Sequence, residues 1–203
     1  CYSAKDVEET SKALRETGVA GMIKQLVDSG HTSVLEHWKI TVAVEGVSRA
    51  LSHQLVRHRM ASYSQRSQRY TATKGEYVTP PSIRNDEVAN EIFEKFLQLS
   101  QETYELLVDG YNIPKEDARY LIPNASTTTI VMTMNARSLL NFFAHRCCTR
   151  AQWEIRTLAN LLLDICKQKA PHIFDNAGPS CEQLGYCPET NSCGRDQGAA
   201  DLL

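Results

Sequence analysis

Residues 57–69 read RHRMASYSQRSQR, and the rest of the chain can be interpreted outward from this arginine-rich stretch. The surrounding segment, residues 46–75, contains no Asp or Glu, although the 203-residue chain has a formal net charge of -2. Its cations are Arg49, Arg57, Arg59, Arg66, Arg69 and Lys74, with His53 and His58 beside them. Arginine binds phosphate bidentately, and serine hydroxyls add further donors. The segment therefore predicts a site for an anionic ligand such as phosphate. The alternative is a solvated basic face paired with acids from elsewhere in the chain.

The order of the residues in this stretch is more specific than its composition. Residues 57–69 fit the pattern RHR-x2-S-x4-S-x-R, which resembles the signature of the flavin-dependent thymidylate synthases. The similarity continues at His31, Ser33, Glu36, Ala118-Arg119, residues 135–139 (NARSL), Asn141, Arg146 and residues 151–154 (AQWE). It covers residues 1–175, which we expect to form the catalytic domain, and does not extend to residues 176–203, a Cys-rich C-terminal tail. Because the chain begins with Cys1 rather than Met, we also expect a trimmed N-terminus.

The resemblance implies a fold and a reaction. It implies an α+β (α/β) fold with a central, mostly antiparallel sheet and flanking helices. Members of the family convert dUMP to dTMP, with methylenetetrahydrofolate as the carbon donor and NADPH as the reductant, acting through FAD. They build their active sites between the subunits of a homotetramer. No GxGxxG motif occurs in the chain, so a Rossmann dinucleotide site is not indicated.

The resemblance also assigns roles to single residues. The expected cofactor-binding residues are Ser33, Glu36, Arg57, His58, Arg59, Asn135, Arg137, Asn141 and Arg150. The expected substrate-binding residues are Gln54, Arg57, Gln65, Arg66, Ser67, Arg69, Arg119 and Arg146. Arg146, His31 and Ser67 are placed at the reacting groups: Arg146 on the pyrimidine, where a cation stabilises developing negative charge, and His31 near the flavin ring and folate. We expect Ser67 to bind phosphate or substrate rather than to attack it, because no general base lies beside it in sequence.

Two positions depart from the family pattern. Ser64-Gln65 stands where many members have Asn-Glu, so this chain has no carboxylate at that position. Arg150 stands where many members have His, which keeps a donor but removes a group that titrates near neutral pH.

Hydrophobic periodicity and breaker residues predict the secondary structure. The predicted helices are 5–28, 47–59, 87–109, 114–119, 135–145 and 150–169, and the predicted strands are 38–45 and 127–134. Residues 60–86 are predicted as a long loop with short strands around Tyr70 and Tyr77. The helix 87–109 is predicted to be amphipathic, with Val88, Ile92, Phe96, Leu99 and Leu107 on one stripe and an acidic, solvent-exposed outer face.

The cysteines and the apolar runs of the chain indicate where the protein is located. The seven cysteines are odd in number, include the adjacent pair Cys147-Cys148 and follow no secretory leader, which favours reduced thiols in the cytoplasm. No run approaches the roughly 20 apolar residues of a membrane span, so we expect no membrane partner.

A nucleic-acid-binding module is the alternative to an enzyme; the net charge counts against it, and we expect no nucleic acid. A flavoprotein with another substrate is a third reading. Zinc binding by Cys181, Cys187 and Cys193 is an alternative, but these cysteines lack the CxxC pairs of structural zinc sites, so we expect no metal.

Overall fold

Three strands form the sheet in the computed structural model, which describes residues 4–72 and 75–194. They are β1 (Lys39–Ser48), β2 (Ala61–Gln65) and β3 (Thr127–Asn135), in the order β1-β3-β2. β2 pairs antiparallel to β3, with Ala61 opposite Met134 and Gln65 opposite Ile130. The other named elements are helices, so the predicted mixed fold with a mostly antiparallel sheet is confirmed.

The pairing of β1 with β3 is also antiparallel. The main-chain N–H of Ala136 donates to the Trp38 carbonyl at 2.9 Å, and that of Arg49 donates to the Ser126 carbonyl at 3.0 Å. The sequence numbers therefore run in opposite directions along the two strands. Residues on β3 alternate in burial, as expected for a strand with one face against the core.

The described residues divide into two compact units. The first contains the described parts of Cys1–Ile40 and Asn135–Leu203, and the second is Thr41–Met134. Lys74 of the basic segment, Cys1 and residues 195–203 of the predicted tail lie outside the described residues.

The first unit begins with two helices, α1 (Val7–Thr17) and α2 (Ala20–Asp28), followed by a 3-10 helix over Thr32–His37. The prediction of one continuous helix over 5–28 is wrong. Gly18 has φ 78°, a conformation that glycine tolerates and that ends α1 through a bond from its N–H to the Leu14 carbonyl at 3.0 Å.

The predicted helix 47–59 and loop 60–86 are both corrected by the structure. β1 runs on to Ser48, and the helix α3 (Arg49–Leu55) is shorter at both ends. The strand β2 occupies the start of the predicted loop, where it pairs with β3, although its Ser-rich sequence resembles a loop. No strand forms at Tyr70 in the described part of the loop, whereas Tyr77 makes a single antiparallel bridge with Ser126.

A long helix dominates the second unit. After the short α4 (Pro81–Arg84), α5 (Glu87–Glu105) continues into a π-helical turn over Leu106–Gly110. The helix is confirmed, but its predicted apolar stripe is not the buried face. The buried residues are Leu97, Ser100 and Tyr104, while four members of the stripe are 55–66% exposed: Val88, Ile92, Phe96 and Leu99. The helix is apolar on two sides, and the sequence does not tell which side packs inside its own unit.

The helices predicted over 114–119, 135–145 and 150–169 are confirmed. α6 (Lys115–Ala118) runs into a 3-10 turn over Arg119–Leu121, and α7 (Ala136–Arg146) begins at the predicted cap, where Asn135 Oδ1 accepts from the Ser138 N–H at 2.8 Å. α8 (Trp153–Lys169) follows in the first unit. Two short helices after it were not predicted: α9 (Pro171–Phe174) and α10 (Ser180–Leu184), the second of which lies within the predicted tail.

The core of the first unit extends into the predicted tail. Phe174 packs edge-on against Trp38 and Phe143, with ring centroids 5.3 and 6.0 Å away. Residues 177–179 are buried, and the Ser180 hydroxyl donates to the Ala144 carbonyl at 3.2 Å. The start of the tail is thus anchored on α7. No helix in the described part of the chain combines the length and apolar character that a bilayer crossing requires.

Candidate functional site

The RHR residues of the second unit lie on a tight turn after α3. Leu55 ends that helix, and its carbonyl accepts from the His58 N–H at 3.0 Å. The Tyr63 hydroxyl lies 2.9 Å from both the Leu55 and the His58 carbonyl oxygens and donates to them. Burial raises the pKa of Tyr63 to about 12, so the phenol keeps the proton that these bonds need. Tyr63 therefore ties strand β2 to the turn that carries Arg57 and Arg59.

Three exposed arginines of this turn and of the following strand end have no acidic partner in the described part of the chain. Arg57, Arg59 and Arg66 are exposed, and none of them forms an ion pair within residues 4–72 and 75–194. Gln54, one helical turn before His58, is half-buried. Guanidinium groups without an acidic partner are available to an anionic ligand.

Arg69 and Arg119 are both held by Glu116. The Glu116 carboxylate oxygen Oε2 accepts from Arg69 Nε at 2.8 Å and lies 2.6 Å from Arg69 Nη2. Arg119 Nε donates to the main-chain oxygen of Glu116 at 3.1 Å. The Arg69 guanidinium also lies 5.5 Å from the centroid of the Tyr70 ring. Two arginines that are 50 residues apart in sequence are thereby attached to one residue.

Arg49 adds a further cation to this group. Its guanidinium is half-buried at the start of α3 and donates to the Arg66 carbonyl at 3.4 Å. Burial, and then the neighbouring positive charge of Arg119, lower the pKa of Arg49. The structure thus places Arg49, Arg66, Arg69 and Arg119 in one neighbourhood of the second unit. Sequence reasoning counted Arg49 in the basic segment but gave it no role.

Gln65 and Ser67 have their polar atoms turned to protein groups. Gln65 Nε2 donates to Ser52 Oγ at 2.9 Å and to Thr128 Oγ1 at 3.2 Å. Ser67 Oγ accepts from the main-chain N–H of Arg69 at 3.2 Å, which shapes the loop between the two arginines. A polar cleft of about 20 Å³, room for about one water molecule, is lined in part by Arg66, Ser67 and Glu76.

The first unit contains the other group of predicted residues. Glu36 Oε1 lies 2.6 Å from Arg137 Nη1, which links the 3-10 turn to the start of α7. Ser33 is exposed one 3-10 turn before Glu36, and so lies on the same face of that turn. Asn141 is exposed one helical turn after Arg137. From this ion pair and these spacings we infer that the four side chains lie on one surface, whereas the side chain of Asn135 is used as the helix cap.

The remaining predicted residues of the first unit lie just before the 3-10 turn and at or after the end of α7. His31 is exposed immediately before the 3-10 turn, and Arg146 is half-buried at the last position of α7. Arg150 is held by the tail: Nη1 lies 3.1 Å from Glu189 Oε2 and 3.5 Å from the Asn191 carbonyl. The family position that often carries His is therefore attached to the C-terminal tail in this chain.

Sequence reasoning missed two residues that organise the second unit, Tyr63 and Glu116. Tyr63 occupies a variable position of the signature, and Glu116 is 47 residues from Arg69, so neither shows a local signal. Glu116 lies three residues before Arg119, which the resemblance predicts to bind substrate, and this proximity is the hint that the sequence offers. In the described part of the chain no three His, Cys, Asp or Glu side chains are grouped so as to hold a metal ion.

Comparisons with known proteins identify relatives along nearly the whole chain. The family model described as thymidylate synthase complementing protein matches residues 1–172. The flavin-dependent thymidylate synthase of Clostridium tetani is 48% identical over 212 residues, covering 96% of this chain and 85% of that protein. The enzyme of the same description from Geobacter sulfurreducens is 47% identical over 199 residues, with coverage of 96% and 85%.

A solved structure gives the corresponding result for the fold. The crystal structure of the flavin-dependent thymidylate synthase ThyX from Helicobacter pylori, complexed with FAD and dUMP, matches with a TM-score of 0.65 and 25% sequence identity. The match covers 85% of this chain and 91% of that one.

Proposed function

This chain belongs to the flavin-dependent thymidylate synthases, and on that premise we propose that it catalyses the reductive methylation of dUMP to dTMP. Methylenetetrahydrofolate is the carbon donor, and NADPH supplies the reducing equivalents through FAD. The observation that carries the proposal is the match to two such synthases at 47–48% identity over 96% of the chain. The signature at residues 57–69 lies within it and, in this structure, presents unpaired arginines.

The residues present fit FAD by their chemistry. A dinucleotide pyrophosphate is anionic, and the exposed Arg57 and Arg59 offer guanidinium donors that no carboxylate within the described residues neutralises. His58 lies between them. In the first unit, Ser33, Arg137 and Asn141 offer further donors on one surface. When bound, FAD supplies the redox chemistry, and the protein supplies binding, orientation and electrostatics. The cofactor-binding set also includes three residues that hold neighbouring groups in place. Asn135 caps α7, Glu36 holds Arg137, and Arg150 holds Glu189 of the tail.

The dUMP phosphate is assigned to the arginines of the second unit. Arg69 and Arg119 carry forks suited to phosphate oxygens, and Arg66 and Ser67 lie on the same loop. Gln54 and Gln65 provide amide groups on either side of the RHR turn. Gln65 acts by holding β2 to α3 and β3, because its amide N–H groups already donate to Ser52 and Thr128.

The reacting base is assigned to the first unit. Arg146 at the end of α7 hydrogen-bonds the pyrimidine and stabilises negative charge on the ring as its carbon becomes nucleophilic. His31 is placed near the flavin ring and the folate. No thiol is needed as a nucleophile in this scheme.

We also propose that the working enzyme is a homotetramer in the cytoplasm with active sites between subunits. Support comes from the exposed apolar stripe of α5. Large contiguous apolar patches on a protein surface mark interaction sites. Val88, Ile92, Phe96 and Leu99 lie along one helix face at 55–66% exposure. Burial of such a stripe against a second copy removes apolar area from water and favours association.

The test combines flavin binding with product formation. The purified protein is supplied with FAD, dUMP, methylenetetrahydrofolate and NADPH, and dTMP is measured by chromatography. We expect dUMP-dependent NADPH oxidation and dTMP. R57A should lose FAD affinity at least tenfold, since it removes a charge-assisted bond worth roughly 1.5–3 kcal/mol. The control R15A changes an exposed arginine on α1 and should behave as wild type. A protein that stays colourless with FAD, or forms no dTMP, would overturn the proposal.

A further inference from the structure

We propose that Glu116 is a positioning residue for the substrate phosphate, which it serves by fixing the direction of the Arg69 and Arg119 guanidinium groups. The inference deepens the proposed function and rests on it, because it takes those two arginines as the phosphate ligands. It assigns a role to a carboxylate that lies outside the signature stretch and that has the same sign of charge as the ligand.

The geometry of the Arg69 contact leaves the phosphate-binding edge open. A guanidinium has five N–H donors, and Glu116 takes those on one edge, Nε at 2.8 Å and Nη2 at 2.6 Å, with a single oxygen. The donors of Nη1 and the remaining one of Nη2 stay available. The Tyr70 ring lies 5.5 Å from the guanidinium, so the side chain is held by two neighbours.

Arg119 is held in the same manner by the main chain. Its Nε donates to the Glu116 carbonyl at 3.1 Å, which again uses the inner edge and leaves the terminal nitrogens open. Glu116 lies in the short helix α6, and Arg119 follows directly after it. One residue thus orients two forks, one through its side chain and one through its backbone.

The charges of this neighbourhood explain why a carboxylate is tolerated beside a phosphate site. Arg49 and Arg119 are close enough for the positive charge of Arg119 to lower the pKa of Arg49. Arg66 is close to Arg49, because its carbonyl accepts a hydrogen bond from that guanidinium. Glu76 also lines the cleft beside Arg66, and with two carboxylates among four guanidinium groups the cluster keeps a net positive charge. Pre-oriented side chains lose less freedom when the ligand binds, so the gain appears as substrate affinity.

A positioning role predicts a specific split in the kinetics. Phosphate binding is equal in the ground state and the transition state, so its loss raises KM and leaves kcat unchanged. For E116Q, which keeps an acceptor but removes the charge, we expect a three- to tenfold higher KM for dUMP. We expect kcat within twofold of wild type and an unchanged FAD dissociation constant. E116D, which keeps the charge but shortens the reach, should give an intermediate KM.

The control and the double variant separate positioning from a general effect. D117N removes the neighbouring exposed carboxylate, which forms no ion pair in the described part of the chain, and should leave KM unchanged. Because Glu116 acts on phosphate chiefly through Arg69, R69A/E116Q should have a KM close to that of R69A alone.

Several results would overturn the inference. A KM for E116Q that equals or falls below that of wild type would mean that Glu116 is a bystander or a competitor of the phosphate. Full additivity with R69A would mean that the two act separately. All variants are compared with a wild-type enzyme that forms dTMP, so a failure of the proposed reaction is seen before any variant is measured. Melting curves and circular dichroism identify a variant that does not fold. If E116Q does not fold, the KM of E116D for dUMP tests the inference instead.

Discussion

Replacing Tyr63 with Phe removes one oxygen atom and tests whether a residue at a variable position of the signature supports the flavin-binding turn. The phenol of Tyr63 lies 2.9 Å from the carbonyls of Leu55 and His58, at the end of α3 and within the RHR turn. Phe fills the same space, so packing is retained and only these hydrogen bonds are lost. The turn that carries Arg57 and Arg59 should then hold its conformation less strongly.

The magnitude follows from the bonds that are lost. A single O–H shared between two carbonyls contributes about 1 kcal/mol net, and the half-buried carbonyls regain part of their hydration. In a chain of this size, 1 kcal/mol lowers the melting temperature by roughly 2–4 °C. If this entire free energy of about 1 kcal/mol is lost from the binding of FAD to the turn, the FAD dissociation constant rises about fivefold.

The pH dependence of this effect has a definite sign. Burial raises the pKa of Tyr63 to about 12, above its unfolded value of 10.0. The stabilisation is therefore fully present below about pH 10 and is lost as the pH rises through about 12. The penalty of Y63F should be the same at about pH 6 and at about pH 9.

The assay uses thermal melting of the apoprotein and titration of FAD by the quenching of its fluorescence. The matched control is Y120F, because Tyr120 is 86% exposed and its hydroxyl is free to bond water. Y120F should change neither quantity. An FAD dissociation constant for Y63F equal to that of Y120F would refute the reasoning, and a penalty that changes between pH 6 and pH 9 would refute its assignment to the neutral phenol.

Three further predictions follow from single contacts. Burial raises the pKa of Cys166 to about 12, so in a thiol titration at about pH 8 it should react only after unfolding, whereas the exposed Cys193 should react in the native protein. Q65E should lower the free energy of unfolding by about 1–3 kcal/mol in denaturant titrations, since it removes an N–H donor to two buried hydroxyls. F96E should reduce the oligomer mass in light scattering, whereas V7E, on an 88% exposed residue of α1, should not.

The elements predicted correctly are those whose signals are local. β3 is a run of β-branched residues with one buried face, and α7 starts where Asn135 supplies its cap. Both features are complete within about a dozen residues. Pro171 and Pro114 likewise mark boundaries because proline fixes its own backbone.

The elements predicted wrongly depend on distant partners. β2 is short and rich in Ser and Gln, and it is a strand because β3, more than 60 residues later, offers it an edge. The stripe of α5 is apolar at helical spacing, yet periodicity does not distinguish a face packed in its own unit from a face left for a partner. Gly18 ends α1 because of its positive φ, a property that the apolar spacing over residues 5–28 conceals.

The candidate site likewise combines residues that the sequence locates with partners that it does not. These partners help to choose between an anion site and a solvated basic face. The sequence locates the arginines but not their partners. If the segment were a neutralised surface, carboxylates from elsewhere would pair with its cations. In the described residues, Arg69 is the one arginine of the segment that receives such a partner, and that carboxylate leaves the outer N–H groups of Arg69 open. Arg57, Arg59 and Arg66 are exposed without one, and Arg49 is half-buried without one. Holding these like charges together is unfavourable unless an anion joins them, so the unneutralised charge is itself an argument for a phosphate-bearing ligand.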